Sequence, residues 1–154
     1  MEIILAENHG FCYGVKRAVE MANEAADSDG KSYTLGPIIH NPQVVGRLES
    51  KGVSPIQEVS DIDEGTMIIR SHGVGPAIYE EAEEKGLNIL DATCPHVKKA
   101  QQDAKSVIED GMTLVILGEK NHPEVKSINL WANNKGIIIE DEESAEKLQI
   151  VEKM

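Results

Sequence analysis

Thr66-Met67-Ile68-Ile69-Arg70-Ser71-His72-Gly73-Val74-Gly75-Pro76 is the stretch on which the fold turns. Thr66 to Arg70 is an apolar run of strand length, and Pro76 suits the first position of a helix that stops at Gly86. The same order of strand, loop and helix recurs on both sides. Toward the amino terminus, Ile3-Ile4-Leu5-Ala6 predicts a buried strand, and Val15, Ala18, Val19, Ala22 and Ala26 then follow at helical spacing. Tyr33 to Leu35 predicts a weaker strand. Asn41 can cap the next helix, with Pro42 at its first position, Val44, Val45 and Leu48 as its apolar stripe and Gly52 at its end.

Toward the carboxyl terminus, Leu87 to Leu90 predicts another strand. Pro95 opens the longest helix, with Val97, Ala100, Ala104, Val107 and Ile108 on one face. Met112 to Leu117 has the strongest strand pattern, Gly136 to Ile139 a further one, and Ser144 to Leu148 reads as helix. Gln149-Ile150-Val151 begins like a strand. Strands alternating with helices of this length predict an α/β fold, parallel-sheet units flanked by helices. One sheet is expected between Tyr33 and Leu90 and another from Met112 onward, joined by the helix from Pro95.

A chain of 154 residues can bury a core without disulfide staples, and its two cysteines with no apolar leader predict a reducing, cytoplasmic setting. No stretch reaches the roughly 18 consecutive apolar residues of a membrane span. Acidic residues number 27 against 15 basic, a net charge of -12, which opposes nucleic-acid binding. One Phe and one Trp supply no base-stacking platform. Runs such as Glu80, Glu81, Glu83 and Glu84 read as solvated helix faces. An anionic substrate would therefore need local donors, from helix N-termini and histidines.

Five strand-to-helix junctions carry reactive side chains: Gly10-Phe11-Cys12-Tyr13-Gly14, Ile39-His40-Asn41, Ser71-His72-Gly73, Ala92-Thr93-Cys94-Pro95 and Asn121-His122-Pro123-Glu124. Ligands of open α/β sheets bind outside the carboxyl ends of the strands, so the five predict one shared site. Cys12 lies between glycines and Cys94 beside a helix-opening proline, settings that favour thiolate. Free cysteines are also commonly small buried residues. With no C-x-x-C pair the local signature of structural zinc is missing, while cluster ligation by cysteines distant in sequence stays open. His9 and His96 adjoin the cysteines and are not taken as essential. His40, His72 and His122 can donate to an anion or bind metal. Glu124 is the candidate proton donor. His122-Pro123-Glu124 also has the H-x-E form of zinc deaminases, without their P-C-x-x-C element.

Taken in order, these five motifs resemble 4-hydroxy-3-methylbut-2-enyl diphosphate reductase, the LytB/IspH family of the non-mevalonate isoprenoid pathway, from Met1 to the end of the chain. The resemblance implies an oxidoreductase that reduces an allylic diphosphate to isopentenyl and dimethylallyl diphosphates. It implies a 4Fe-4S cluster with three cysteine ligands, Cys12 and Cys94 among them, and an electron donor such as ferredoxin or flavodoxin. It further implies that His40, His72 and His122 bind the substrate's diphosphate and that Glu124 is the proton source.

The resemblance also implies two of three pseudo-symmetric domains. Residues 1–13 would be an amino-terminal strand and first cysteine loop that join a third domain, 14–94 a first α/β domain, and 95–154 an incomplete second one. A third cysteine and a Gln-Thr-Thr motif of the family are absent from this sequence, and the resemblance places the family's Ser-x-Asn patch in the third domain. The chain is therefore expected to be an amino-terminal portion, inactive alone and able to self-associate through the surface a third domain would cover. The alternatives are a zinc-dependent hydrolase using Cys12, Cys94, a histidine and Glu124, or a non-catalytic fragment.

Overall fold

The computed structural model describes residues 2–7, 9–28 and 30–148. Its elements are α1 (Tyr13–Ala26), β1 (Ser32–Leu35), α2 (Pro42–Glu49), β2 (Val53–Ile56), β3 (Thr66–Ile69), α3 (Pro76–Glu84), β4 (Asn88–Asp91), α4 (Pro95–Glu109), β5 (Val115–Leu117), α5 (Pro123–Trp131), β6 (Ile137–Ile139) and α6 (Glu142–Glu146). Strands β2-β1-β3-β4 form one sheet, β5 and β6 another, and every pairing is parallel.

Helix starts follow local chemistry. Proline occupies the first turn of α2, α3, α4 and α5, where its missing N–H costs nothing. The Asn41 side chain accepts from the Val44 N–H at 3.1 Å, capping α2. Between β2 and β3 a short 3-10 turn spans Val59–Asp61.

Strand β3 is covered on both faces, as its continuous apolar sequence requires. Met67 and Ile69 pack with Leu35, Val59, Ile62, Val74, Ala82 and Leu87 on the α3 side. Ile68 packs with Ala18, Ala22, Val44, Leu48 and Val53 on the side of α1 and α2. Met67, Ile68 and Ile69 are fully buried, each such side chain contributing roughly 1.5–3 kcal/mol of burial.

The strand order reverses between β1 and β3, since β1 leads through α2 to β2 on one side and β3 through α3 to β4 on the other. A crevice at such a switch point is where open α/β sheets take ligands. His40 lies in the loop after β1 and His72 in the loop after β3.

Three expectations are corrected. Ile3 to Ala6 forms no strand: Ile3, Ile4 and Leu5 are 76–82% exposed, and no described backbone pairs with them. An apolar run becomes a strand only with a partner edge, which this segment lacks here. Met112 to Leu117 shortens to Val115–Leu117, and β2 is an additional strand. Pro55 disguises β2 in the sequence, yet the strand lies at the sheet edge, where proline is tolerated. Gln149 to Val151 lies outside the described residues.

Candidate functional site

Cys12 and Cys94 are the N-cap residues of α1 and α4, each extended or nearly so, with no side-chain cap bond. Both are free, Cys12 exposed and Cys94 half-buried. Gly14, on the first turn of α1, lies directly beneath Cys94. A Cβ there would stand 3.0 Å from the Cys94 Cβ and closer still to its sulfur. Arg17, one turn further on, donates to the Thr93 carbonyl at 3.2 Å and the Asp91 carbonyl at 3.4 Å. The two cysteine loops are thus fastened side by side, each at the positive end of a helix.

Asp91, which ends β4, organises the Cys94 loop. It accepts from the Thr93 N–H at 3.0 Å and the Tyr79 hydroxyl at 3.1 Å, and pairs with Lys98. Burial alone would raise its pKa, but the bonds from Lys98 and Thr93 outweigh that and lower it. Burial and the neighbouring Asp91 push the Tyr79 phenol up to about 12, which keeps it a donor.

His40, His72 and His122 meet. Their ring centroids are 4.4, 5.8 and 5.6 Å apart in pairs, and one nitrogen from each lies within 4.8 Å of the others. His72 is the most constrained. Burial, then the charges of His40, Arg70 and His122, lower its pKa to about 4, so near neutral pH it is an uncharged ring. Its Nδ1 is buried without a partner among the described residues.

His122 caps α5, its Nδ1 accepting from the Glu124 N–H at 3.2 Å. A nitrogen that accepts from a backbone N–H carries no proton, so the ring's proton sits on Nε2. Glu124 itself is half-buried in the first turn of α5.

Polar residues that sequence reasoning did not single out hold this arrangement. The Ser127 hydroxyl lies 2.7 Å from the His72 carbonyl and 2.9 Å from the Glu124 carbonyl, and it accepts from Gln101 at 3.3 Å. Trp131 Nε1 donates to the Val74 carbonyl at 2.9 Å. The histidine loop is therefore tied to the helix bearing Glu124. Gln101 does carry a signal, being a polar residue on the buried stripe Val97, Gln101, Ala104 of α4. A buried amide needs a partner, and Ser127 supplies it.

A family of LytB proteins matches residues 3–154. This chain belongs to the LytB family. Proteins named 4-hydroxy-3-methylbut-2-enyl diphosphate reductase from Geotalea uraniireducens and Geobacter metallireducens are 52% and 50% identical to it, over 96% and 100% of the chain. It spans about half of these LytB relatives, 52% and 55% of their lengths. A solved (E)-4-hydroxy-3-methyl-but-2-enyl diphosphate reductase superposes with a TM-score of 0.80 at 48% identity, covering 94% of this chain and 53% of that one. The Plasmodium falciparum E-1-hydroxy-2-methyl-but-2-enyl-4-diphosphate reductase gives a TM-score of 0.89 at 32% identity, over 94% of this chain and 46% of that one. The α/β architecture is thus the LytB fold.

Proposed function

We propose that these residues form one side of a reductive dehydroxylation site for 4-hydroxy-3-methylbut-2-enyl diphosphate, yielding isopentenyl and dimethylallyl diphosphates. The observation that carries the reading is the meeting of three imidazoles, one of them presenting Nε2–H, at the sheet's switch point. An oxyanion accepts from such donors, and the formal charge of -12 makes local donors necessary. The same cap bond disfavours zinc at the triad, because a metal on Nε2 of His122 would force a proton onto Nδ1, against the Glu124 N–H.

The cysteine pair suits an iron–sulfur cluster. Soft thiolates at helix N-termini, with Gly14 leaving room for the Cys94 sulfur, match that donor chemistry. When bound, the cluster would supply electrons and a Lewis-acidic iron for the substrate hydroxyl. Cys12 and Cys94 would hold it, and the resemblance implies a third cysteine that these 154 residues do not contain.

His40, His72 and His122 would hold the diphosphate, with His72 donating as a neutral ring. Glu124, held one residue beyond Pro123 by the His122 cap, would deliver a proton. Two electrons and two protons replace a carbon–oxygen bond by carbon–hydrogen and release water. A small electron-carrier protein would deliver the electrons.

Anaerobic reconstitution with iron and sulfide counting, followed by a reductase assay, tests the reading in a protein of the relatives' length that carries this segment. Cys12→Ser and Cys94→Ser are each expected to lose cluster iron and turnover. Near-normal activity in either variant would remove that cysteine from the site. For the 154 residues by themselves, the expectation is a folded protein without turnover.

A further inference from the structure

Arg70 directly follows β3 on the same crevice, and the proposed reaction does not use it. Its Nη1 lies over Gly36, where a Cβ would stand 2.6 Å away, so a side chain there would make the guanidinium shift from this place. Gly36 follows β1 with φ +70°, a conformation that also favours glycine. The Arg70 Nε is buried without a partner, and no ion pair among the described residues includes Arg70. Burial alone holds its pKa below the usual arginine value.

A half-buried cation with no counter-charge is costly, and it is the more conspicuous in a chain of net charge -12. Arg70 faces a cavity of about 310 Å³ at the carboxyl ends of β1 and β3, on the side of α3 and α5. Gln57 and Lys126 add polar groups to it, Ile78 and Leu130 give it an apolar wall, and none of the three histidines lines it. A mostly apolar pocket with a few convergent polar groups is the usual form of a small-molecule site.

We infer that this cavity is a second binding site, for a small oxyanion, carboxylate or phosphate, on a short apolar body. The guanidinium fork takes two oxygens of the oxyanion, Gln57 and Lys126 approach from the mouth, and the apolar body lies against Ile78 and Leu130.

The test uses n-butyl phosphate, butyrate and n-butanol as probes, followed by amide and arginine Nε–H NMR shifts on the chain. Saturable shifts at the Arg70 Nε–H, Gly36 and Gly75 are expected with at least one of the two anions, and none with butanol; which anion binds separates phosphate from carboxylate chemistry. Arg70→Gln should weaken binding about tenfold or more, as expected for loss of a bidentate charged contact. Lys126→Glu, on an exposed residue, should weaken it several-fold even if Arg70→Gln fails to fold. His40→Asn should leave this binding unchanged, which separates the cavity from the histidine triad. Shifts confined to the triad, binding indifferent to Lys126→Glu and to a folded Arg70→Gln, or no saturable shift with either anion would overturn the inference.

Discussion

The two cysteine loops begin with nearly the same words, Cys12-Tyr13-Gly14-Val15-Lys16-Arg17-Ala18 and Cys94-Pro95-His96-Val97-Lys98-Lys99-Ala100, yet they stand on different foundations. Cys94 follows β4: its N–H donates to the Ser71 carbonyl at 2.9 Å, and Ala92 is bonded to Ile69 at 3.1 Å. Cys12 follows Ile3, Ile4 and Leu5, which lie exposed and unpaired among the described residues. The heptapeptide sets the helix start and places the thiol at its N-cap. What precedes it decides how firmly that thiol is held.

Core truncations separate the two foundations most. Ile68→Ala, in the strand beside β4, should cost about 2–5 kcal/mol, as for other buried isoleucines. Ile4→Ala, ahead of Cys12, should change stability by less than about 0.5 kcal/mol. Urea unfolding monitored by circular dichroism measures both, and equal losses would show that the amino-terminal segment is packed after all.

Gly14→Ala acts where the loops meet. The added methyl must displace the Cys94 side chain, so a loss of about 1–3 kcal/mol is expected, despite alanine's better helix propensity. A neutral or stabilising effect would mean that the two loops are not in contact.

Acid should weaken the foundation shared by Cys94 and the histidines. His72 takes up its proton in the folded chain only near pH 4, whereas an unfolded histidine does so near 6.5. Unfolding therefore binds a proton between those values, and stability falls as pH drops from about 6.5 to about 4 while this contribution stays level above that window. Equilibrium unfolding across that range, with His72→Asn as the control that flattens the slope, checks it. The smallest expected contrast is kinetic: exposed Cys12 should react with a thiol reagent faster than half-buried Cys94.

How much was legible follows the same division. The alternation of Thr66–Ile69 with a proline-opened helix gave the parallel α/β fold, because strand hydrophobicity and proline at helix starts are local signals. Ile3 to Ala6 carried the same local signal and formed no strand, since pairing depends on an edge elsewhere. Pro55 hid β2 for the opposite reason, its edge position making proline harmless. The junctions of His40, His72, Cys94 and His122 could be read from their place after strands, whereas the Cys12 junction follows no strand among the described residues. Arg17, Asp91, the buried Ser127 and the unpaired Arg70 could not, because exposed and buried polar residues look alike until their partners are known.

Replacement of Glu124 by Gln tests the proposed chemistry most directly, in a LytB protein of the relatives' length that carries this segment. The side chain keeps its size and its place behind the His122 cap but no longer has a carboxylic proton to give. The expected result is a fall in kcat on the order of 10²-fold or more, with cluster content and KM little changed, as for removal of a general acid. An unchanged kcat with a raised KM would contradict the account and make Glu124 a binding residue.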